Sequence, residues 1–165
     1  MLDGFSPNPQ GQKACKTGAM LENIIESILI SSGFQKIKER KTPLAKLIEM
    51  FSGKKWFARQ YRGLIGEYGE VVNVDFLLCD SNKYQCGLVI EVKYQKVPGS
   101  VDEKYPYIIL NMKKWNRQGI KAAIFFEGNG YRESALKWCQ ENANEDITVL
   151  EGTTNIMEWV YSNLT

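Results

Sequence analysis

The sequence predicts an α/β protein with three layers, in which a mixed central sheet lies between helices. Two strongly apolar, β-rich segments, 71–79 and 87–94, are separated by a short polar turn and predict a central antiparallel hairpin. Strand-like and helix-like segments alternate after this hairpin, which predicts parallel β–α–β–α units. Helical segments before and after it supply cover for both faces of the sheet.

The N-terminal region predicts an arm followed by two helices. Residues 1–16 combine Pro, Gly, Asn and Gln without periodicity, so we expect a flexible arm there and a single domain over residues 17–165. From an N-cap at Thr17 to a stop at Gly33, apolar residues recur at helical spacing. These residues are Met20, Leu21, Ile24, Ile25, Ile28 and Leu29. Thr42–Phe51 predicts a shorter helix with Pro43 in its first turn.

The rest of the chain predicts five strands and three helices. An aromatic-rich strand is expected first, then a glycine-rich loop and the central hairpin. The charge order of the following helix, acidic at its start and basic at its end, suits the helix dipole. In chain order the segments are strands Trp56–Tyr61, Val71–Cys79 and Gly87–Tyr94, helix Val101–Gln118, strand Ala122–Glu127, helix Tyr131–Asn142, strand Ile147–Leu150 and helix Asn155–Leu164.

Composition excludes several classes of site. The 165 residues fit one domain, and a net charge of +2 does not by itself indicate a nucleic-acid partner. The absence of histidine excludes Ser-His-Asp and Cys-His catalysis and histidine-based zinc sites. The four cysteines form no CxxC pair and no signal peptide precedes them, so we expect reduced thiols in a cytoplasmic protein. The longest apolar run is too short to span a membrane.

Three charged residues lie in the most apolar part of the chain. Asp75 interrupts the first strand of the hairpin, and Glu91 and Lys93 interrupt the second. A carboxylate in a central strand is costly unless it is paired, hydrated or bound to a cation. Glu91 and Lys93 are two residues apart, so they project from the same face of their strand. We expect the hairpin to bring the three side chains together.

Two converging carboxylates suit Mg²⁺ or Mn²⁺, which retain several waters when bound. Such an ion activates water and stabilises charge on a phosphate, and a neighbouring lysine can orient or deprotonate that water. This chemistry would hydrolyse a phosphodiester without histidine. The alternative is an ordinary ion-pair cluster on a solvated face of the sheet.

The segments VDFLL and IEVKYQ resemble the motif of the PD-(D/E)XK nuclease superfamily, whose fold is restriction-endonuclease-like. The resemblance covers most of residues 18–150. It implies that Asp75 and Glu91 ligate the metal and that Lys93 assists the attacking water. Val74 stands where the nominal motif has proline, which many members lack.

The resemblance also implies further site residues. Many members carry a glutamate on the first helix, which matches Glu22, with Glu26 as the second choice; a pair of solvent-facing carboxylates is the alternative. Gln95 completes an E-x-K-x-Q pattern and is expected near the site. We expect both Glu22 and the Val92 carbonyl to contribute to the metal site. The stretch PGSVDEKYPY resembles one that follows the catalytic strand in restriction-type members, which would place Ser100, Glu103 and Lys104 beside the site. Ordinary capping of the following helix by Ser100 or Asp102 is the alternative.

Basic residues interleaved with aromatics predict contacts with DNA, because such mixtures suit phosphate binding and base stacking. Two clusters, 54–62 and 113–117, have this character, whereas the basic segment 36–41 fits a solvated surface better. The predicted DNA contacts are Lys54, Lys55, Arg59, Arg62, Ser100, Lys104, Lys113 and Lys114.

The sequence therefore predicts a Mg²⁺-dependent DNA endonuclease of the type II restriction kind, with Mn²⁺ able to substitute and no other cofactor. The resemblance implies 5′-phosphate products. Cutting both strands of a duplex with one small site suggests a homodimer. The alternatives are a junction-resolving, homing or phage nuclease of the same fold, or a catalytically silent DNA-binding module.

Overall fold

The computed structural model describes the backbone of residues 9–165 and the side chains of residues 18–99 and 101–165. It contains five α-helices, one 3₁₀ helix and six strands in this range. In chain order they are α1 (Pro9–Ser31), β1 (Gln35–Lys36), α2 (Leu44–Met50), β2 (Trp56–Ile65), β3 (Val71–Asp80), β4 (Tyr84–Tyr94), the 3₁₀ helix (Ser100–Lys104), α3 (Tyr105–Asn116), β5 (Lys121–Glu127), α4 (Glu133–Asn142), β6 (Ile147–Glu151) and α5 (Thr153–Leu164).

The six strands form one mixed sheet in the order β1-β2-β3-β4-β5-β6. Strands β2, β3 and β4 are antiparallel neighbours, as the predicted hairpin requires. Strands β4, β5 and β6 are parallel, as the predicted β–α–β–α order requires. The short β1 adds a parallel edge to β2, and the sequence pattern missed it because two residues show no periodicity.

Two hydrophobic cores lie on opposite faces of the sheet, which confirms the three-layer α/β/α prediction. On one face, α1 and α5 pack against the sheet through residues such as Ile25, Leu29 and Val160. On the other face, α2, α3 and α4 pack through residues such as Leu47 and Trp115. Among the described helices, none has the length and apolar character that a bilayer span requires.

Helix α1 differs from the prediction at its start and in its buried face. It begins at Pro9, so residues 9–16 of the predicted arm belong to the helix, while residues 1–8 lie outside the described part of the chain. Met20 and Ile24 belong to the predicted apolar stripe, yet they are 61% and 38% exposed. The stripe is therefore wider than the surface that the sheet covers.

The predicted helix over Val101–Gln118 divides into the 3₁₀ helix and α3. Pro106 lies in the first turn of α3, where its missing N–H costs no hydrogen bond. Strand β2 also extends beyond the predicted strand, to Ile65, and its register with β3 shifts between Tyr61 and Leu64. Gln60, just before this shift, has a φ of 54°. A positive φ is uncommon for a residue other than glycine, and no local sequence pattern predicts it at Gln60.

One end of the sheet gathers the segments that matter for function. Pairing between β3 and β4 runs from Asp80 and Tyr84 to Phe76 and Ile90, and it is not continued beyond that point. Because β3 and β4 are antiparallel, the start of β3, the end of β4 and the β2–β3 turn lie at the same end of the sheet. The ends of β5 and β6 lie there too, since both run parallel to β4.

Candidate active site

The three predicted charged residues converge where β3 and β4 separate. The ammonium Nζ of Lys93 lies 2.5 Å from Oε2 of Glu91 and 3.9 Å from Oδ2 of Asp75. Alternation along β4 places Glu91 and Lys93 on one face, and Asp75 reaches them from the neighbouring strand. We refer to Asp75, Glu91 and Lys93 as the acidic cluster.

Asp75 is held by backbone and side-chain donors. Its Oδ2 accepts a hydrogen bond of 2.7 Å from the backbone N–H of Val92, and its Oδ1 accepts one of 3.1 Å from Nε2 of Gln60. The first bond occupies the place where the β3–β4 ladder would have continued. Since the N–H and C=O of a strand residue point to the same side, the Val92 carbonyl also faces β3.

Burial controls the electrostatics of the cluster. Glu91 is 5% exposed, and this burial raises the pKa of Glu91 to about 7. The Lys93 ammonium opposes this increase in pKa, whereas the Asp75 carboxylate adds to it. Burial would lower the pKa of Lys93, but the carboxylates of Glu91 and Asp75 outweigh it and raise that pKa above its usual value. Lys93 is therefore a cation at neutral pH and acts as a hydrogen-bond donor.

The donor set fits a hard divalent cation. Two carboxylates share a single ammonium, so the fully ionised cluster carries one net negative charge in a poorly hydrated place. Within the described residues, no group of three acidic or cysteine side chains is arranged to hold a metal ion. Mg²⁺ commonly takes one or two carboxylates and keeps several waters, so Asp75, Glu91 and the Val92 carbonyl would suffice.

The two glutamates predicted on α1 both bind Arg59 of β2. Oε2 of Glu22 accepts hydrogen bonds from Nη2 of Arg59 at 2.9 Å and from its Nε at 3.2 Å. Oε2 of Glu26 accepts from Nη1 of Arg59 at 2.8 Å, and Oε1 of Glu26 contacts Nζ of Lys36 at 2.5 Å. We refer to Glu22, Glu26, Arg59 and Lys36 as the α1–β2 network.

Partner charges set the protonation of the α1–β2 network. Burial opposes the charged form of Glu26, but the cations of Lys36 and Arg59 outweigh it and lower the pKa of Glu26. The carboxylates of Glu22 and Glu26 likewise raise the pKa of Arg59 against the effect of burial. The charge of Glu22 also contributes to the raised pKa of Lys93, so Glu22 lies between the network and the acidic cluster.

Gln95 is buried next to the cluster, but its amide is bound elsewhere. Its Oε1 accepts a hydrogen bond of 2.9 Å from the Tyr105 hydroxyl, and its Nε2 donates one of 3.2 Å to the Val97 carbonyl. Gln95 therefore connects the end of β4 to the start of α3. The backbone of Ser100 lies in the 3₁₀ helix beyond this connection, and its side chain lies outside the described residues.

The side chains predicted to contact DNA fall into two groups: those that are accessible to solvent, and those that already bind another part of the protein. Lys54, Arg62 and Lys104 are exposed, and Lys113 is half-buried. Lys55 forms an ion pair with Asp80 at 3.6 Å, and Lys114 donates to the Gly66 carbonyl at 2.6 Å. Arg59 belongs to the α1–β2 network. Lys55, Lys114 and Arg59 therefore bind partners within the protein, and the sequence pattern did not indicate these contacts.

Sequence reasoning also missed two residues that support the site. Gln60 holds Asp75 from a backbone conformation that no local pattern indicates, and Tyr105 holds Gln95 across the 3₁₀ helix. Tyr105 is almost fully buried, and this burial, with smaller effects from nearby acidic groups, raises the pKa of its hydroxyl well above the usual range. A tyrosine at the start of an apolar helix gave no signal of this role.

Several solved structures are similar to parts of this chain. They include SfsA from Pyrococcus furiosus in complex with Ca²⁺ (18% identity, TM-score 0.38, 65% of this chain and 51% of that one). The small subunit of the heterodimeric restriction endonuclease R.BspD6I gives 13% identity and a TM-score of 0.38, over 71% of this chain and 63% of that one. A protein of unknown function, AF1548, gives 13% identity and a TM-score of 0.36, over 73% of this chain and 75% of that one.

The chain spans about half the length of SfsA and less than two thirds of the restriction-enzyme subunit. No curated protein matches the sequence significantly. The profile of the PD-(D/E)XK nuclease superfamily domain matches residues 13–160, which is nearly the whole chain and includes all of the acidic cluster. The resemblance inferred from VDFLL and IEVKYQ is therefore confirmed, and the chain belongs to the PD-(D/E)XK nuclease superfamily.

Proposed function

We propose that this protein is a metal-dependent endonuclease that hydrolyses phosphodiester bonds in DNA, with Mg²⁺ as its ion and Mn²⁺ able to substitute. One observation supports this most directly: the carboxylates of Asp75 and Glu91 both lie within 4 Å of Nζ of Lys93, at the point where β3 and β4 separate. The excess negative charge of that cluster is the kind of site that a divalent cation stabilises.

The side chains have distinct proposed roles. Asp75 and Glu91, with the Val92 carbonyl, would hold the ion, and Glu22 would reach it through a bound water. When bound, the ion would polarise the scissile phosphate and lower the pKa of a coordinated water. Lys93 would donate a hydrogen bond that positions this water and would neutralise charge on the phosphate. Gln95 would keep the end of β4 aligned with α3, and the product would carry a 5′-phosphate.

The exposed basic residues support DNA as the substrate, because phosphate contacts by Lys and Arg supply most non-specific affinity. Arg62, Lys104 and Lys113 are the side chains that we assign to this role, and Ser100 is proposed as a contact from the 3₁₀ helix. Lys54 precedes Trp56, which pairs with Cys79 at the other end of the sheet, so it would contact the DNA only at a distance from the acidic cluster. Lys55, Arg59 and Lys114 would first have to leave their present partners. We propose the cytoplasm as the place of action.

We propose a type II restriction role with a homodimer as the working unit, since two copies would cut the two strands of a duplex. A junction-resolving or homing nuclease would use the same cluster on a different DNA. The DNA substrate that the protein cleaves distinguishes the restriction, junction-resolving and homing roles. Sedimentation equilibrium of the purified chain, with and without duplex DNA, measures the oligomeric state directly.

The deciding experiment incubates the purified protein with plasmid, linear duplex and four-way junction DNA in Mg²⁺, Mn²⁺ or EDTA. We expect cleavage with either ion and none in EDTA. Asp75→Ala should abolish cleavage while circular dichroism stays unchanged. DNA binding without cleavage of any substrate would favour the catalytically silent module. Cleavage that survives in Asp75→Ala would refute the assignment of the site.

A further inference from the structure

The β2–β3 turn, residues 66–70, is clamped onto α3 by three side chains of that helix. Trp115 donates from Nε1 to the Ile65 carbonyl at 2.9 Å, and Lys114 donates from Nζ to the Gly66 carbonyl at 2.6 Å. Oδ1 of Asn111 accepts from the backbone N–H of Glu67 at 2.8 Å. These three residues lie on one side of α3, because they are three and four positions apart. We call residues 66–70 the hairpin tip.

Gly66 shows how closely the hairpin tip and α3 approach each other. A Cβ atom at Gly66 would lie 2.8 Å from the hydroxyl of Tyr107 and 2.1 Å from Oε1 of Glu70. A side chain at this position would therefore displace the ends of the Glu70 and Tyr107 side chains from where they now lie. Three hydrogen bonds and this contact hold the tip in one place before any ligand binds.

The clamped tip displays an exposed aromatic ring. Tyr68 is 81% exposed, and it stacks on Tyr107 of α3 with ring centroids 5.3 Å apart and ring planes at 15°. One face of the Tyr68 ring is covered by Tyr107, so the other face is free. Ile65, Val71 and Leu110 are also exposed, at 45%, 61% and 42%. We call the Tyr68–Tyr107 stack the tyrosine platform.

The tyrosine platform lies at the end of the sheet that carries the acidic cluster. Val71 follows the hairpin tip directly, and Asp75 lies four residues further along β3, which corresponds to about 13 Å of strand. The platform is therefore within reach of a nucleotide a few positions away from one whose backbone is bound at the cluster.

We propose that the tyrosine platform stacks an unpaired base of the DNA strand whose backbone occupies the acidic cluster, so that the preferred substrate contains a single-stranded or unpaired segment beside the cleavage point. This inference rests on the proposed nuclease function and adds the substrate class. Stacking on tyrosine tolerates any base, because every base has a flat π-face.

The charges around the platform favour a base over other occupants. Lys104 and Arg117 are exposed near the two ends of α3 and can attract the flanking phosphates. Glu67, which is exposed beside Tyr68, disfavours a phosphate at the tip itself. The tip therefore suits the uncharged base of a strand whose phosphates lie along α3.

The test measures DNA binding in the presence of Mg²⁺ with the Lys93→Ala variant as the background protein. This substitution is used because it is expected to slow cleavage of the DNA during the measurement. Fluorescence anisotropy is recorded with a thymidine oligonucleotide, a blunt duplex and the same duplex with a single-stranded overhang. The variants are Tyr68→Ala, Tyr68→Phe, which keeps the ring, and Tyr161→Ala, which removes another exposed tyrosine, on α5. Circular dichroism checks the fold of each variant.

We expect Tyr68→Ala to weaken binding of the thymidine oligonucleotide and of the overhang about 5- to 150-fold, with changes of less than about twofold for the blunt duplex. Tyr68→Phe and Tyr161→Ala should bind like the background protein. The proposal is overturned if the background protein does not bind the thymidine oligonucleotide, or if Tyr68→Ala leaves that binding unchanged or weakens the blunt duplex equally.

A parallel cleavage assay of the unmutated chain separates this inference from the proposed function. If binding depends on Tyr68 but no DNA is cleaved in Mg²⁺, the proposed nuclease function is refuted and base stacking on the tyrosine platform is supported. Cleavage together with Tyr68-independent binding would remove the platform and keep the nuclease.

Discussion

The acidic cluster and the α1–β2 network are two groups of charged side chains near the same end of the molecule, and their charge balances differ. The network pairs two carboxylates with two cations, so its formal charge is zero. The acidic cluster pairs two carboxylates with one ammonium, so it carries one net negative charge when fully ionised. Its most buried carboxylate, Glu91, has its pKa raised to about 7 by burial.

This difference separates a structural role for the network from the proposed catalytic role of the acidic cluster. Partly buried ion pairs that are balanced and well bonded can remain as they are, whereas a buried excess of charge needs a proton or a further cation. The network therefore suits the task of fixing α1 against β2. The acidic cluster suits the binding of a divalent ion, and perturbed buried carboxylates in such a place are typical of active sites.

The largest expected effect comes from removing Lys93, the lysine of the acidic cluster. Lys93→Ala should lower Mg²⁺-dependent plasmid cleavage by at least about 100-fold, because the water and the phosphate lose their donor. Lys36→Ala is the matched control in the network and should cleave like the unmutated protein. The measurement is the initial rate of nicking at saturating Mg²⁺. Equal loss in both variants would erase the distinction between the two groups.

The acidic cluster was predictable from sequence because local rules suffice to find it. Alternation along β4 places Glu91 and Lys93 on one face, and apolar neighbours make their charges conspicuous. The apolar hairpin then brings Asp75 to them. The three-layer fold was predictable for a similar reason, since the order of strands and helices and the apolar hairpin leave few arrangements of one sheet.

The α1–β2 network was not predictable in this way. Arg59 and Glu22 are 37 positions apart and meet only when α1 packs on the sheet. The positive φ of Gln60 and its hydrogen bond to Asp75, 15 positions away, likewise depend on how β2 packs beside β3 in the folded chain. The packing of α1 and β2 depends on contacts between segments that are distant in sequence, so a pattern within one segment cannot predict it.

The second prediction concerns the pH dependence of stability without divalent ions. The ordinary pKa of a glutamate is 4.5, whereas that of Glu91 in the folded chain is about 7, so the folded chain binds this proton more tightly than the unfolded chain. The resulting stabilisation is fully present below about pH 4.5 and is lost as the pH rises through about 7. Its size is on the order of 3 kcal/mol.

Urea unfolding in EDTA between pH 5 and 8 measures this effect. The free energy of unfolding should fall with rising pH in the unmutated protein and should vary much less in Glu91→Gln. Adding Mg²⁺ should restore stability at the upper end of the range, since the ion would replace the proton. If Glu91→Gln keeps the full pH dependence, another group is responsible for it.

A smaller effect is expected at the boundary between the two groups. Glu22→Ala should lower cleavage about tenfold, as expected for a residue that supports a metal site through water, because Glu22 lies between Arg59 and Lys93. Glu26→Ala, one helical turn later, should lower cleavage by less than about twofold, because the partners of Glu26 among the described residues, Arg59 and Lys36, both belong to the network. Equal rates in the two variants would show that Glu22 belongs to the network alone.

The smallest effect is expected at the outer edge of the network. Lys36 is 43% exposed and contacts Glu26, which Arg59 also holds, so water screens this pair and a second cation remains when it is removed. Lys36→Ala should therefore change the free energy of unfolding by less than about 0.5 kcal/mol. Urea unfolding at neutral pH measures it, with Arg59→Ala as the contrasting variant. Arg59→Ala leaves two carboxylates without their shared partner and should cost distinctly more. If the two variants were equally stable, the network would not fix α1 against β2, and its charge balance would have no structural consequence.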